Sequence, residues 1–274
     1  MAVASFCFHA ELNDFLPRYK RQVIISHSFS ERASIKDMIE ALGVPHTEVD
    51  SMEVNNNFVN FSYIVQDKDT INVYPISATL DITPSVSVRP LPLSVIRFVL
   101  DIHLGKLATS LRLLGFDTLY RNDYDDEELA EISSSQSRIL LTRDKGLLMR
   151  SLVTHGYYVR STNPQQQIVE VLQRFDLFKI VSPFQRCLRC NGLLTPVAKE
   201  SVIDELPETV RYSKGVASSD GDAMRTRTRS VFAGESQNNE FHRCEDCAQI
   251  YWQGTHYERL QQFIDQVLES KTGD

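Results

Sequence analysis

The apolar positions over 3–9 and 22–29, Val3, Phe6 and Phe8 in the first and Val23, Ile24, Ile25 and Phe29 in the second, make two β-rich stretches that read as strands. Ile35, Met38, Ile39 and Leu42 then recur at helical spacing, with Ser34 placed to cap, Asp37 three residues on and Gly43 at the stop. Residues 58–65 and 70–75 return to strand pattern. Two strands, a helix and further strands predict an α+β module of β-grasp type over 1–81. Pro84, Pro90 and Pro92 interrupt both helix and ladder hydrogen bonding, so 82–94 reads as a linker that few contacts should cross.

Beyond the linker, strand and helix patterns alternate. The apolar run 96–100 precedes a helix face of Leu104, Leu107, Ala108, Leu111 and Leu114, closed by Gly115. Strand patterns at 116–120, 138–142 and 157–160 are separated by a helix over 126–133. Asn163 and Pro164 open another helix carrying Ile168, Val171, Leu172 and Phe175 on one face. Such repetition implies right-handed crossovers and a parallel sheet over 95–182. Residues 183–274 end in a helix begun by a capping box, Thr255 with Glu258, and expected to bury Leu260, Phe263, Ile264, Val267 and Leu268.

This reading turns certain side chains into candidates. In open α/β sheets, ligands bind beyond the carboxyl ends of the strands. Asp101 follows the first strand of the sheet, Asp123, Asp125 and Asp126 the second, and Asp144 the third. Carboxylates brought together repel one another unless a divalent cation neutralises them, which points to Mg²⁺ or Mn²⁺ and phosphodiester hydrolysis. The same repulsion predicts that Asn at these positions would stabilise the metal-free protein. The alternative is that each Asp merely caps the helix it precedes.

Two C-x-x-C pairs, Cys187 with Cys190 and Cys244 with Cys247, have the spacing of a closed Cys₄ structural zinc site, a zinc ribbon. Cys7 is left as a spare thiol packed in a strand. With five cysteines in 274 residues, no apolar run long enough to span a membrane and no leader pattern in residues 1–10, a cytoplasmic protein is expected. The net charge of −7 argues against a uniformly basic surface, but six acids crowd 123–131 and leave the remainder of 95–182 basic. Residues 213–239 lack hydrophobic rhythm and carry Arg225, Arg227 and Arg229, a solvated loop or an RNA-touching arm.

Specific runs resemble a known family. Residues 10–16 and 43–49, with Val73-Tyr74-Pro75, resemble the ubiquitin-like domain that precedes Mut7-C ribonuclease domains. That domain is related to sulfur carriers, whose terminal Gly-Gly is replaced here by Ile76-Ser77-Ala78. Residues 97–108, 111–117, 125–129 and 140–144 are similar to the Mut7-C ribonuclease domain, which is PIN-like, and 250–256 to its ending. The resemblance implies a ribonuclease with Asp101, Asp126 and Asp144 as Mg²⁺ or Mn²⁺ ligands and Asp125 as a lesser candidate. Lys106, Arg112, Arg143 and His256 become candidate contacts to RNA, tRNA or ribosomal RNA included. A non-catalytic RNA-binding or ribosome-associated adaptor and a tRNA-thiolation accessory are the competing readings.

Overall fold

A computed structural model of the chain describes residues 1–75, 87–88, 90–206, 241–253 and 255–270. The diglycine-replacing tripeptide, Pro84, the Thr255 cap, the His256 side chain and the segment 213–239 lie outside the described residues. The chain divides into two compact units, Met1–Ala108 with Thr118–Thr162, and Thr109–Asp117 with Asn163–Asp274.

In the first unit, strands β1 (Ala2–Phe8), β2 (Ile25–Phe29), β3 (Val49–Val54), β4 (Asn57–Val59) and β5 (Thr70–Pro75) form a sheet in the order β2-β1-β5-β3-β4. The central pair, β1 and β5, is parallel and the other pairs are antiparallel, the β-grasp arrangement. Helix α1 (Ile35–Ala41) has the predicted capping box, Ser34 receiving the Asp37 N–H and Asp37 the Ser34 N–H. It buries Ile35, Met38 and Ile39 with Phe6, Met52 and Ile71 from the sheet. β3 shows no alternation in sequence because its residues are nearly all buried, and the strand expected over 58–65 ends at Val59.

The same unit carries a second sheet, β7-β6-β8-β9, built from β6 (Arg97–Leu100), β7 (Asp117–Leu119), β8 (Ile139–Thr142) and β9 (Gly156–Tyr158). β6 pairs parallel with β8, and β8 with β9. The chain leaves β6 towards β7 and returns on the far side to β8, so the order reverses at the carboxyl ends of β6 and β8. Helices α2 (Gly105–Leu113), α3 (Asp126–Ser135) and α4 (Lys145–Leu148) follow β6, β7 and β8. Val99 and Leu140 of the sheet bury with Leu129, Ala130, Leu147 and Leu148 of the helices.

Contacts between the β-grasp fold and this sheet are not few, which corrects the linker expectation. Tyr158 packs into both hydrophobic cores. The His46 ring lies 3.0 Å from the Val153 carbonyl, and Lys145 Nζ donates to the Phe15 carbonyl at 3.1 Å. Glu48 accepts from both Tyr158 N–H and Arg160. The linker itself is tied down at Val88, whose N–H donates to Asp50.

In the second unit, α5 (Pro164–Arg174) starts on Asn163, whose side chain accepts from the N–H groups of Gln165 and Gln166. Strands β10 (Leu194–Val197), β11 (Phe241–Cys244) and β12 (Ile250–Trp252) form an antiparallel sheet, with α6 (Lys199–Val202) in the connection from β10 to β11. The final helix, α7 (Thr255–Glu269), buries Ile264 and Val267, but Leu268 is exposed, against expectation. Trp252 is partly buried against the small core of Val202, Leu206, Phe241 and Ile250.

Candidate functional site

The strand ends of the parallel sheet open a cleft of about 470 Å³, lined by Asp101, Ile102, His103, Tyr124, Asp126, Leu129, Arg143, Asp144, Lys145, Gly146 and Tyr158. It lies at the crevice between β6 and β8 where strand order reverses, the position that this architecture reserves for ligands. Asp101, Asp126 and Asp144 all face it. Their environments differ sharply. Asp101 is only 5 % exposed and fully engaged: Oδ2 receives the Thr142 hydroxyl and, at 3.2 Å, the Arg143 N–H, while Oδ1 receives the His103 N–H at 2.7 Å. Thr142 in turn accepts from the Asp144 N–H at 2.9 Å, linking the ends of β6 and β8 through one hydroxyl.

Asp144 is exposed and caps α4 by accepting from Gly146 N–H at 2.7 Å. Asp125, rather than Asp126, caps α3, receiving the Glu128 N–H at 2.8 Å. Asp126 is therefore released from capping; it is half-exposed and 3.9 Å from Arg150. Asp123 pairs with Arg121 at 2.7 Å, and that guanidinium holds its carboxyl below the usual range. Among the described residues, the one group of three or more His, Cys, Asp or Glu ligand atoms within 4.8 Å of one another is formed by cysteines. The expected crowding of carboxylates is thus corrected, and with it the repulsion argument, because donors already surround Asp101. Oxygen donors spaced around a cleft still suit a hard cation such as Mg²⁺, which keeps several waters and takes one or two carboxylates.

Positive charge enters the cleft from β8. Arg143 donates through Nη1 to the carbonyls of Val159, Arg160 and Ser161 at 3.0, 2.8 and 2.6 Å, so its charge is fixed in place. Lys145 and His103, the former not singled out from sequence, also line the cleft. Lys106 is exposed on α2 but outside the lining. Arg112 is 4 % exposed and donates to the carbonyls of Leu188 and Arg189 at 3.1 and 3.0 Å. Its expected phosphate contact is corrected: a buried guanidinium committed to backbone cannot meet RNA.

Those carbonyls belong to the first cysteine knuckle. Cys187, Cys190, Cys244 and Cys247 bring their sulfurs within 4.8 Å, with Cys187 to Cys247 at 3.6 Å and Cys190 to Cys244 at 3.3 Å. A tetrahedral Zn–S shell of about 2.3 Å gives sulfur separations of roughly 3.8 Å. In each pair the backbone turns back on the first cysteine, Asn191 N–H reaching the Cys187 carbonyl and Ala248 N–H the Cys244 carbonyl, with Asn191 and Ala248 at positive φ. A Cβ at Gly192 would fall 2.8 Å from Cys244 Sγ, so the close approach requires glycine. Burial pushes Cys190 up to about 12 and also raises Cys244. At Cys187, burial is outweighed by hydrogen bonds from the Tyr251 hydroxyl, 3.2 Å away, and from backbone N–H groups, leaving it at about 7. Four thiols held this close, with one already favoured as thiolate, form a set that can hold a metal ion.

Among the described residues no helix is long and apolar enough to cross a membrane. No curated protein and no solved structure matches the chain. Residues 1–81 match the family described as Mut7-C ubiquitin, and residues 96–219 and 221–264 match that described as Mut7-C RNAse domain. With the β-grasp sheet, the parallel sheet and the four-cysteine ribbon in that order, the chain belongs to the Mut7-C RNAse domain family and carries a Mut7-C ubiquitin domain at its N-terminus.

Proposed function

We propose that the protein is a cytoplasmic, metal-dependent ribonuclease that hydrolyses RNA phosphodiester bonds in the cleft between β6 and β8. The observation that carries this reading is the meeting of Asp101, Asp126 and Asp144 with Arg143 and Lys145 in one cleft at the sheet's reversal point. Membership in an RNAse domain family supports nuclease chemistry. Asp126 and Asp144 would supply oxygen ligands to Mg²⁺ or Mn²⁺, with Asp101 as the buried anchor and Asp125 beside them on the α3 cap. A divalent ion held there would lower the pKa of the attacking water and neutralise charge on the leaving oxygen. Arg143 and Lys145 hold a phosphate by charge, with Lys106 as an outlying contact, and His256 stays a candidate RNA contact on the sequence reading alone.

The cysteine ribbon would bind zinc, with no open coordination position for catalysis. Metal analysis is expected to find about one zinc per chain. Incubating the purified protein with mixed cellular RNA, tRNA and ribosomal RNA included, should show cleavage that needs Mn²⁺ or Mg²⁺ and stops with chelator. An absence of cleavage with every divalent cation would favour the adaptor reading, which has its own support in the capping bonds made by Asp101, Asp125 and Asp144.

A further inference from the structure

We infer that the ubiquitin-like domain is a built-in part of the nuclease cleft, and that Glu48 is its positioning residue. This rests on the ribonuclease reading for its consequence in activity, but not for its geometry. β9 is the edge strand of the parallel sheet, and Tyr158 at its end pairs inward with Thr142. The outward N–H of Tyr158 would otherwise need water. It donates instead to Glu48 Oε1 at 2.7 Å. Glu48 Oε2 receives Arg160 Nη2 at 2.9 Å, and the Glu48 side chain is 3 % exposed.

Arg160 is further fixed over the rings of Phe15 and Tyr157, at 5.5 and 5.3 Å, and 3.6 Å from Asp14. One carboxylate of the β-grasp fold therefore locks 158–160. The carbonyls of Val159, Arg160 and Ser161 are the ones that cage the Arg143 guanidinium, and the Arg143 N–H is bonded to Asp101. A continuous set of hydrogen bonds thus runs from Glu48 through the β9 exit to Arg143 and Asp101. A second tether, Lys145 to the Phe15 carbonyl, draws a further cleft cation towards the same domain.

A carboxylate is needed because two donors converge on Glu48. Glutamine has one acceptor oxygen, and its amide nitrogen would face either Tyr158 N–H or the Arg160 guanidinium. Glu48→Gln should loosen the β9 exit and let Arg143 drift, with the cleft walls otherwise intact. Glu53→Gln serves as the control: it removes the charge from the acceptor of the Tyr74 hydroxyl within the same domain, at 3.1 Å, while leaving an oxygen to accept that single bond.

The test uses the full chain. Hydrogen exchange should be faster over 139–147 and 156–162 in Glu48→Gln but not in Glu53→Gln, each measured well below its melting temperature. With RNA and Mn²⁺, Glu48→Gln should lose about tenfold or more in kcat with KM changed less than about threefold, as expected for misplacement of a transition-state contact. Unchanged exchange at 139–147 in Glu48→Gln, or an equal change in Glu53→Gln, overturns the inference whether or not RNA is cleaved. A wild-type protein that cleaves no RNA counts against the ribonuclease reading alone, since the exchange comparison still decides the role of Glu48. Wild-type kcat in Glu48→Gln, where the parent is active, also overturns it.

Discussion

Replacing Asp101 by Asn separates two physical accounts of the acidic cleft. If the carboxylates crowded one another, the neutral residue would stabilise the metal-free protein. The structure predicts the reverse, because Asp101 is 5 % exposed and its two oxygens take three donors, the Thr142 hydroxyl and the N–H groups of His103 and Arg143. Asparagine must turn its NH₂ towards one side. The cheaper orientation keeps the oxygen on Thr142 and Arg143 and turns the nitrogen to His103, whose exposed position lets water take its N–H. Loss of one charge-assisted bond and weakening of two others should cost about 1.5–3 kcal/mol. For a domain of this size that corresponds to a fall of roughly 4–8 °C in Tm. Asp126→Asn and Asp144→Asn should change Tm little, since Asp126 is exposed and caps nothing and Asn caps nearly as well as Asp. All three should lower Mn²⁺-dependent RNA cleavage by orders of magnitude. Thermal unfolding in chelator, beside cleavage rates in Mn²⁺, provides the assay. An Asp101→Asn protein melting at or above the parent temperature would refute the hydrogen-bond account, and full cleavage by the Asp126 and Asp144 variants would refute the metal role.

Three further outcomes follow from packing. Arg112→Met removes two backbone-directed bonds from a buried guanidinium and should cost about 3 kcal/mol, with faster zinc loss to a chelator and no change in the salt dependence of RNA binding; a shallower salt slope would restore its phosphate role. Deleting residues 1–90 strips Glu48 from Arg160 and should cost about 3 kcal/mol from the stranded charge alone, so the remainder is expected to be poorly soluble, and a well-folded remainder would contradict this. Burial, with the hydrogen bond to Glu53, pushes Tyr74 up to about 12, above its ordinary value of 10, so its contribution to stability is complete below about pH 10 and is lost as pH rises towards 12. Tyr74→Phe should flatten stability in that window, as read by chemical denaturation.

Local chemistry carried by short stretches of chain was readable in the sequence. The capping box at Ser34 and Asp37, the Asn163 and Pro164 helix start, and the C-x-x-C pairs act over a few residues, so their types and spacing suffice. The order of strands and helices also sufficed to bring Asp101, Asp126 and Asp144 to one sheet edge, because parallel crossovers leave little freedom in where strand ends lie. Tertiary structure decided what each charged group does there. Arg112 and Arg143 look alike as basic residues, yet one is buried against the cysteine knuckle and the other is caged at the cleft, since the carbonyls they bind lie 76 and 16 or more residues away. Asp126 leaves the cap to Asp125 because it is itself the first helical residue of α3, and the side chain that accepts the free N–H of Glu128 is that of the residue before it. Glu48 belongs to the 43–49 run that marks the ubiquitin-like domain, but nothing in the sequence signals its role at the cleft. Its partners at Tyr158 and Arg160 are 110 and 112 residues distant, and only the docking of one folded domain against the edge of another sheet makes a single carboxylate the support of the cleft.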